Sequence, residues 1–418
     1  MRVSPQEEHE DVKGNDEPAR SHAARAPLSA DTLPVTGAWR EGDPVGSRRF
    51  VHVADDRPFV LEGGSQLRSM RVAYETWGEL AADRANAVLV CHALTGDAHA
   101  GPSNSSDQPS PGWWEELIGP GRAIDTDRYF VVCVNVLGGC QGTTGPASIN
   151  PIDGRPYGSR FPAVTVRDMV RLEAVVGNTL GIETWLAVVG GSMGGMQVLE
   201  WAIMYPDRVR SIVPIATCTA ATAQQIAWGS VQRSAIALDP GWRGGDFYDA
   251  APGDGPARGL ALAREIAQIT YRSDPVFTDR FGRGELDPMD DVFTLWQRFD
   301  VEGYLDYHGA KLVRRFDANS YLVLSKAMDL HDIGRDRGGP SAALARVRAS
   351  TLTMSIDSDA LYFAGQQEEI RDALHAHGTS VEHEVIHSDH GHDAFLLETE
   401  QVGEALVSFL AEVEKDHD

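Results

Sequence analysis

The 418-residue sequence has few cysteines, an excess of acidic over basic residues and no long apolar run. Its four cysteines are widely separated and form no C-x-x-C pair, which argues against a disulfide framework and favours a reducing compartment. No uninterrupted apolar stretch approaches the roughly 20 residues that cross a membrane. The first residues also lack a hydrophobic segment of the signal-peptide kind. We therefore expect a cytoplasmic protein with no membrane association.

The balance of charges restricts the partners further. The chain has 37 lysines and arginines against 61 aspartates and glutamates, which gives a formal net charge of −24. Such a charge argues against binding to nucleic acid and to anionic membranes. A small anionic substrate is compatible with it where arginines are gathered locally. The length allows one large α/β domain with an insertion, or two domains.

One stretch combines an apolar run, a glycine-rich break and a helical pattern, Trp185-Leu-Ala-Val-Val-Gly-Gly-Ser-Met-Gly-Gly-Met-Gln197. The apolar run predicts a buried parallel strand, and the apolar spacing from Met196 to Met204 predicts a helix. A strand, a sharp turn and a helix are the context that a G-x-S-x-G nucleophile elbow requires. Without that context, the same glycines would indicate only a connection between a strand and a helix.

The elbow predicts the local geometry of the serine. Ser192 would occupy a strained turn, so that its hydroxyl stands clear of the sheet. Side chains at Gly190 and Gly194 would clash with the neighbouring backbone. The helix that follows directs unpaired N–H groups, including that of Met193, at the position where an oxyanion would form.

A second oxyanion donor is expected from another strand end. The apolar run Asn86–His92 predicts a buried strand, and a loop at the carboxyl end of such a strand is where α/β sheets build their sites. In the elbow architecture this loop supplies the second N–H, for which Leu94 is the candidate. The alternative is an ordinary loop at the end of a strand.

The order of strand and helix patterns predicts the domain organisation. Alternating strands and helices indicate an α/β fold with a mostly parallel, doubly wound sheet over residues 45–218 and 340–418. Residues 219–339 show mainly helical patterns, which we interpret as a helical lid insertion over the active edge of the sheet. Residues 1–44 are charged and aperiodic, and we expect a disordered acidic N-terminal tail.

Three residues at predicted strand ends form a candidate catalytic triad. A serine hydroxyl needs a histidine to take its proton and an acid to hold the imidazole. In the elbow fold these residues follow in the order Ser, Asp, His, which Ser192, Asp359 and His392 match. Asp357 is a rival acid, because residues two apart on an extended segment face the same side. We prefer Asp359, which lies one step deeper into the loop.

The segment that contains His392 also has a metal-site interpretation. His387, His390 and His392 are closely spaced, but zinc would require a further ligand held on rigid structure. The triad explains His392 without a metal. We therefore expect neither a metal ion nor a resident cofactor.

Several longer motifs resemble the homoserine O-acetyltransferases of the α/β-hydrolase superfamily, over roughly residues 45–412. These motifs are Gly190-Gly-Ser-Met-Gly-Gly-Met-Gln197, Cys91-His-Ala-Leu-Thr-Gly96, Asn135-Val-Leu-Gly-Gly139, Ala263-Arg264 with Thr270-Tyr271-Arg272, Ser358-Asp359 and Gly391-His392-Asp393. The resemblance implies that acetyl-CoA acylates the serine. The side-chain hydroxyl of L-homoserine then takes the acetyl group, giving O-acetyl-L-homoserine for methionine synthesis.

The resemblance also implies roles for further residues. Arg264 would bind the substrate carboxylate and Asp393 its ammonium group, with Tyr271 nearby. The resemblance further implies a homodimer built through the lid helices. These motifs do not separate acetyl from succinyl donors, or homoserine from serine acceptors. An esterase on the same fold is a further alternative.

Overall fold

The computed structural model describes residues 33–103, 105, 108, 110–286 and 293–415. Within this part of the chain, the central sheet has eight strands in the order β1-β4-β8-β5-β9-β10-β11-β12. The strands of the chain are β1 (Arg49–Val53), β2 (Phe59–Val60), β3 (Gln66–Leu67), β4 (Met70–Trp77), β5 (Ala87–Cys91), β6 (Ile118–Gly119), β7 (Ile124–Asp125), β8 (Phe130–Val134), β9 (Trp185–Gly191), β10 (Val209–Ile215), β11 (Ser350–Ile356) and β12 (Val381–Ile386).

The sheet is antiparallel only at its first edge. Strand β1 pairs antiparallel with β4, and β4 pairs antiparallel with β8. From β8 to β12 every neighbouring pair is parallel. The carboxyl ends of β5, β9, β10, β11 and β12 therefore lie at the same edge of the sheet, where α/β folds place their sites.

Helices follow most of the parallel strands. They are α1 (Val166–Thr179), α2 (Met193–Met204), α3 (Ala223–Leu238), α4 (Ala257–Tyr271), α5 (Asp274–Phe281), α6 (Asp300–Val313), α7 (Ala318–Asp329), α8 (Pro340–Leu344), α9 (Ala364–Ala376), α10 (Ala394–Leu397) and α11 (Thr399–Lys415). Helix α1 starts where the sequence favours a start, because the Thr165 side chain accepts from the backbone N–H of Asp168 in a capping box. No helix among the described residues is both long enough and apolar enough to cross a membrane.

The strand β5 shows how the sheet buries both faces. Leu89 and Cys91 belong to a core shared with α1, α2 and α9, whereas Val88 and Val90 belong to a second core shared with α11. Successive side chains of a strand point to opposite faces, so an apolar run without alternation requires cover on both sides. The continuous apolar pattern of β5 is thereby explained.

The chain between β10 and β11 is mainly helical: it contains α3 to α8, of which α3 to α7 fall within residues 219–339. Helix α3 begins at a capping box formed by Thr222 and Gln225. Gln225 Nε2 also donates to the carbonyl of Leu361, in the loop after β11, at 2.8 Å. Helix α3 therefore lies against the edge of the sheet at which the parallel strands end, and so does the end of α4, where the Tyr271 ring centroid is 5.9 Å from that of His392.

The start of the described chain differs from the expected tail. Residues 1–32 lie outside the described residues, but residues 33–39 are buried or half-buried on the folded domain. Leu33 is buried, and the N–H of Gly37 donates to the carbonyl of Phe316 at 3.0 Å. Thr36 Oγ1 donates to Asp317 Oδ1 at 2.8 Å. These partners lie about 280 residues away in the chain, so no local pattern could reveal them.

We predict that Gly194→Ala destabilises the protein, whereas Gly365→Ala does not. Both glycines are second residues of helices, in α2 and α9. A Cβ at Gly194 would lie 2.2 Å from the carbonyl oxygen of Cys91, but nothing lies within 4 Å of one at Gly365. Overpacking costs about 1–3 kcal/mol, while an unstrained glycine-to-alanine change stabilises by roughly 0.4–1 kcal/mol. Urea unfolding measures both variants, and equal free energies of unfolding would contradict the prediction.

Candidate active site

The backbone at Ser192 has the strained geometry of a nucleophile elbow. Its φ and ψ are 58° and −123°, in a region that non-glycine residues rarely adopt. Two hydrogen bonds hold it there: its N–H donates to the carbonyl of Ile215 at 2.9 Å, and its carbonyl accepts from Thr217 Oγ1 at 2.9 Å. Strand β10 therefore stabilises the turn between β9 and α2.

The three residues of the predicted triad form one hydrogen-bonded chain. Ser192 Oγ lies 2.8 Å from His392 Nε2, and His392 Nδ1 lies 2.6 Å from Asp359 Oδ2. The other oxygen of Asp359 accepts from the N–H groups of Leu361 and Tyr362 at 2.8 and 2.9 Å. All three triad side chains are buried. A carboxylate accepts and a serine hydroxyl donates, so this arrangement requires the neutral imidazole with its proton on Nδ1.

The environment of His392 affects its pKa in two opposing ways. Burial alone would lower the pKa, because it disfavours the imidazolium. The carboxylate of Asp359 opposes burial by its charge and its hydrogen bond, and the pKa of His392 is raised above its ordinary value. A histidine of this kind is a stronger base, which suits the removal of a proton from a hydroxyl.

The neighbouring candidates take other partners. Asp357 Oδ2 lies 2.9 Å from His387 Nδ1, and Asp357 Oδ1 accepts from the N–H of Ser388. His390 Nδ1 lies 3.2 Å from a guanidinium nitrogen of Arg272. The structure therefore places Asp359, and not Asp357, at the triad histidine. The three closely spaced histidines have three separate environments.

The two predicted oxyanion donors lie on elements that contact each other. Met193 is the first residue of α2, and Leu94 follows β5. In the described part of the chain, no acceptor takes a hydrogen bond from either N–H group. The side chain of Gln197 links the two elements, since its Nε2 donates to the carbonyls of His92 and Met193 at 3.2 and 3.1 Å.

The sequence analysis assigned no role to His92 or Gln197. His92 Nδ1 lies 2.8 Å from the carbonyl of Ala93, and its Nε2 accepts from the N–H of Val136 at 3.1 Å. Burial lowers the pKa of His92, which keeps it neutral as this pair of bonds requires. A buried histidine directly after a strand and a glutamine within the elbow helix were the available signals.

A narrow cavity of about 50 Å³ lies beside the triad and has room for only a few water molecules. Helices α3, α4 and α7 and three strand-end loops line it, with the side chains of Leu94, Gln225, Trp228, Gln232, Tyr271 and Tyr362 among others. The Tyr362 ring stacks on His392 with centroids 5.0 Å apart. No sequence signal beyond its closeness to Asp359 marked Tyr362.

The three predicted substrate-binding residues, Arg264, Tyr271 and Asp393, lie next to the triad. The Tyr271 ring centroid is 5.9 Å from that of His392, and the Arg264 guanidinium carbon lies 5.1 Å from the Tyr271 ring. Among the described residues, no carboxylate lies within 4 Å of the Arg264 guanidinium. Asp393 Oδ2 lies 3.4 Å from Arg272 Nε, so its carboxylate already has a cationic neighbour.

Comparisons with known proteins identify the fold and the family. A family model described as alpha/beta hydrolase fold matches residues 86–399, which confirms the predicted fold. A homoserine O-acetyltransferase from Thermobifida fusca is 54% identical over 92% of this chain and 100% of its own length. One from Clavibacter michiganensis is 53% identical over 90% of this chain and 96% of its own. The chain belongs to the homoserine O-acetyltransferase family.

Solved structures show two activities on this architecture. A homoserine O-acetyltransferase from Bacillus anthracis has a TM-score of 0.80 and 28% identity, covering 87% of this chain and 97% of its own. The esterase E22 has the same TM-score and identity, covering 87% of this chain and 99% of its own. Membership of the homoserine O-acetyltransferase family therefore rests on the sequence relatives, because the fold is shared with esterases.

We predict that Asp359→Asn shifts the pH dependence of Ser192 reactivity and Asp357→Asn does not. Reaction with a fluorophosphonate requires neutral His392, so its rate rises with pH through the pKa of His392. Loss of the Asp359 carboxylate leaves burial to lower that pKa, so the rising limb moves to lower pH. The maximal rate falls by about 10³- to 10⁴-fold, as in comparable triads. Intact-mass spectrometry measures labelling, and a shifted limb in Asp357→Asn would contradict the assignment.

Proposed function

We propose that this protein transfers the acetyl group of acetyl-CoA to the side-chain hydroxyl of L-homoserine through an acyl-serine intermediate. The observation that carries the proposal is the buried chain of hydrogen bonds from Ser192 through His392 to Asp359. Membership of the homoserine O-acetyltransferase family supports homoserine as the acceptor and acetyl as the transferred group. The product, O-acetyl-L-homoserine, would serve methionine synthesis.

The first half-reaction acylates the serine. His392 Nε2 takes the hydroxyl proton as Ser192 Oγ attacks the thioester carbonyl carbon. The N–H groups of Met193 and Leu94 hold the negative oxygen of the tetrahedral intermediate, a contribution worth about 3–4 kcal/mol for a donor. The carbon–sulfur bond then breaks, the proton on His392 passes to the thiolate, and CoA leaves.

The second half-reaction transfers the acetyl group to the acceptor. The homoserine hydroxyl loses its proton to His392 Nε2 and attacks the acyl carbon. The bond to Ser192 Oγ breaks, and the serine recovers the proton from His392. Asp359 holds the imidazole in the tautomer that both half-reactions need and stabilises the imidazolium formed in each.

Transfer of the acetyl group to the acceptor must be faster than hydrolysis of the acyl-serine by water. The narrow cavity and the burial of the triad support such selectivity, because a site that excludes water and holds the acceptor hydroxyl in place favours attack by that hydroxyl. An esterase is the second candidate function, favoured by the equal structural similarity to esterase E22. Succinyl transfer to homoserine and acetyl transfer to serine are alternatives on the same site.

The lid carries the features that favour a homodimer. Leu238, Leu295 and Trp296 are each more than 80% exposed, and Leu262 and Ile269 add exposed apolar surface on α4. Exposed large apolar side chains favour contact with another protein where they adjoin. We propose that two copies of the chain associate through these lid helices.

Replacing the nucleophile tests the two-step route. We expect Ser192→Ala to remove nearly all release of CoA while keeping the circular dichroism spectrum of the parent. In the parent, rapid CoA release should require both acetyl-CoA and homoserine, and double-reciprocal plots should give parallel lines. Equal release without homoserine would favour the esterase. Assays with acetyl-, propionyl- and succinyl-CoA against homoserine and serine would define the specificity.

Truncated acceptors test the proposed substrate contacts. We expect Arg264→Gln to lose the preference for homoserine over 3-aminopropan-1-ol, which lacks the carboxylate, because a guanidinium pairs well with a carboxylate. Asp393→Asn should lose the preference for homoserine over 4-hydroxybutanoate, which lacks the ammonium group. Each lost charged contact should lower kcat/KM for homoserine by about 10- to 100-fold.

Each of these two variants is the control for the other. Arg264→Gln should retain discrimination against 4-hydroxybutanoate, and Asp393→Asn should retain discrimination against 3-aminopropan-1-ol. If both variants lose both preferences equally, the two side chains do not bind the two ends of the acceptor separately.

A further inference from the structure

Cations converge on one histidine of the lid, although the whole chain is strongly acidic. His308 lies on α6. Burial, together with the charges of Arg264, Lys311, Arg272 and Arg280, lowers the pKa of His308 to about 3. His308 is therefore neutral at physiological pH, and the nearby charges that act on it most strongly are positive.

Aromatic rings that contact His308 hold two of these cations, Arg280 and Lys311. The guanidinium carbon of Arg280 lies 5.1 Å from the Tyr304 ring, and Lys311 Nζ lies 5.9 Å from the Tyr307 ring. Both tyrosine rings contact His308, with centroid distances of 4.4 and 5.3 Å. Each cation thus rests over the face of a ring, an attractive arrangement that does not neutralise its charge.

Carboxylates do not neutralise this group within the described residues. No carboxylate of that part of the chain lies within 4 Å of Arg264, Arg280 or Lys311, and Arg272 alone of the four has one, Asp393. Two acidic residues of α6 pair with a different cation, since Glu302 Oε1 lies 3.6 Å from Arg298 Nε and Asp306 Oδ2 accepts from Arg298 at 2.7 Å. Uncompensated cations gathered on one surface of a chain of net charge −24 favour an anionic ligand.

The group is continuous with the proposed active site. Arg264 is half-buried over the Tyr271 ring, which itself lies 5.9 Å from the ring of His392. Arg280 and Lys311 are exposed. The cations therefore extend from the neighbourhood of the triad to the solvent-facing side of the lid.

We infer that Arg280 and Lys311, arranged around His308, bind the phosphate groups of the acyl donor. This inference rests on the proposed function, in which a CoA thioester reacts at Ser192. In that donor the phosphates are separated from the thioester by a long pantetheine arm, so they must bind toward the protein surface. The acceptor has one carboxylate, for which Arg264 suffices. Phosphates are the anions that remain to be bound.

A comparison of two acyl donors distinguishes a phosphate site from a general effect on activity. Acetyl-CoA carries phosphates, whereas S-acetylpantetheine has the same thioester and arm but none. We expect Arg280→Gln and Lys311→Gln each to lower kcat/KM for acetyl-CoA by about 5- to 30-fold, as for a partly solvated charged contact. The kcat/KM for S-acetylpantetheine and the KM for homoserine should change less than twofold. Added salt should lower kcat/KM for acetyl-CoA and leave kcat/KM for S-acetylpantetheine unchanged.

Arg258→Gln is the matched control, because Arg258 is an exposed arginine of α4 outside the group around His308. It should leave the ratio of the two donors unchanged. Equal losses with both donors in the Arg280 and Lys311 variants would overturn the inference. So would an unchanged donor ratio together with weaker self-association, which would assign these cations to contact with a second copy.

The same assays distinguish the two levels of the proposal. If the parent protein does not turn over acetyl-CoA with homoserine, the proposed function fails. If the parent is active and the variants still do not discriminate between the donors, only the assignment of the phosphate site fails.

Discussion

The close approach of helix α2 to strand β5 is the constraint on which the site depends. The first turn of α2 runs against the carbonyl of Cys91, and glycine at position 194 is what allows it. That approach sets Ser192 in its strained turn. It also brings Gln197 within reach of the His92 carbonyl, so the two elements with the proposed oxyanion donors are held together. A side chain at this contact would separate them.

The lid helices contribute side chains to a site whose triad comes from the sheet. The triad comes from loops at strand ends, but the rings beside the imidazole include Tyr271 of helix α4. The lid also gathers Arg264, Arg280 and Lys311 near the site, against the acidic charge of the whole chain. Net charge describes the average surface, whereas a ligand meets the local one. The exclusion of nucleic acid and the proposal of an anionic substrate are therefore consistent.

Much of the fold and part of the site were predictable, because their signals are local. The elbow motif and the apolar runs of the parallel strands each lie within a few consecutive residues. Chain order then placed Ser192, Asp359 and His392 at three strand ends, and parallel strands bring such ends to one edge. The structure joins these three residues by hydrogen bonds of 2.8 and 2.6 Å.

By itself, the sequence determined the order of the elements, the strained position of the serine and the family. Only the tertiary structure decided between Asp359 and Asp357: spacing alone would put them on the same side of an extended segment, but they lie just after β11, where Asp357 meets the exposed His387 and Asp359 meets the buried His392. It also decided that residues 33–39 pack on the domain and that Tyr362 stacks on His392. Each of these outcomes depends on a contact whose partner is set by three-dimensional packing, and no local pattern of residues encodes such a contact.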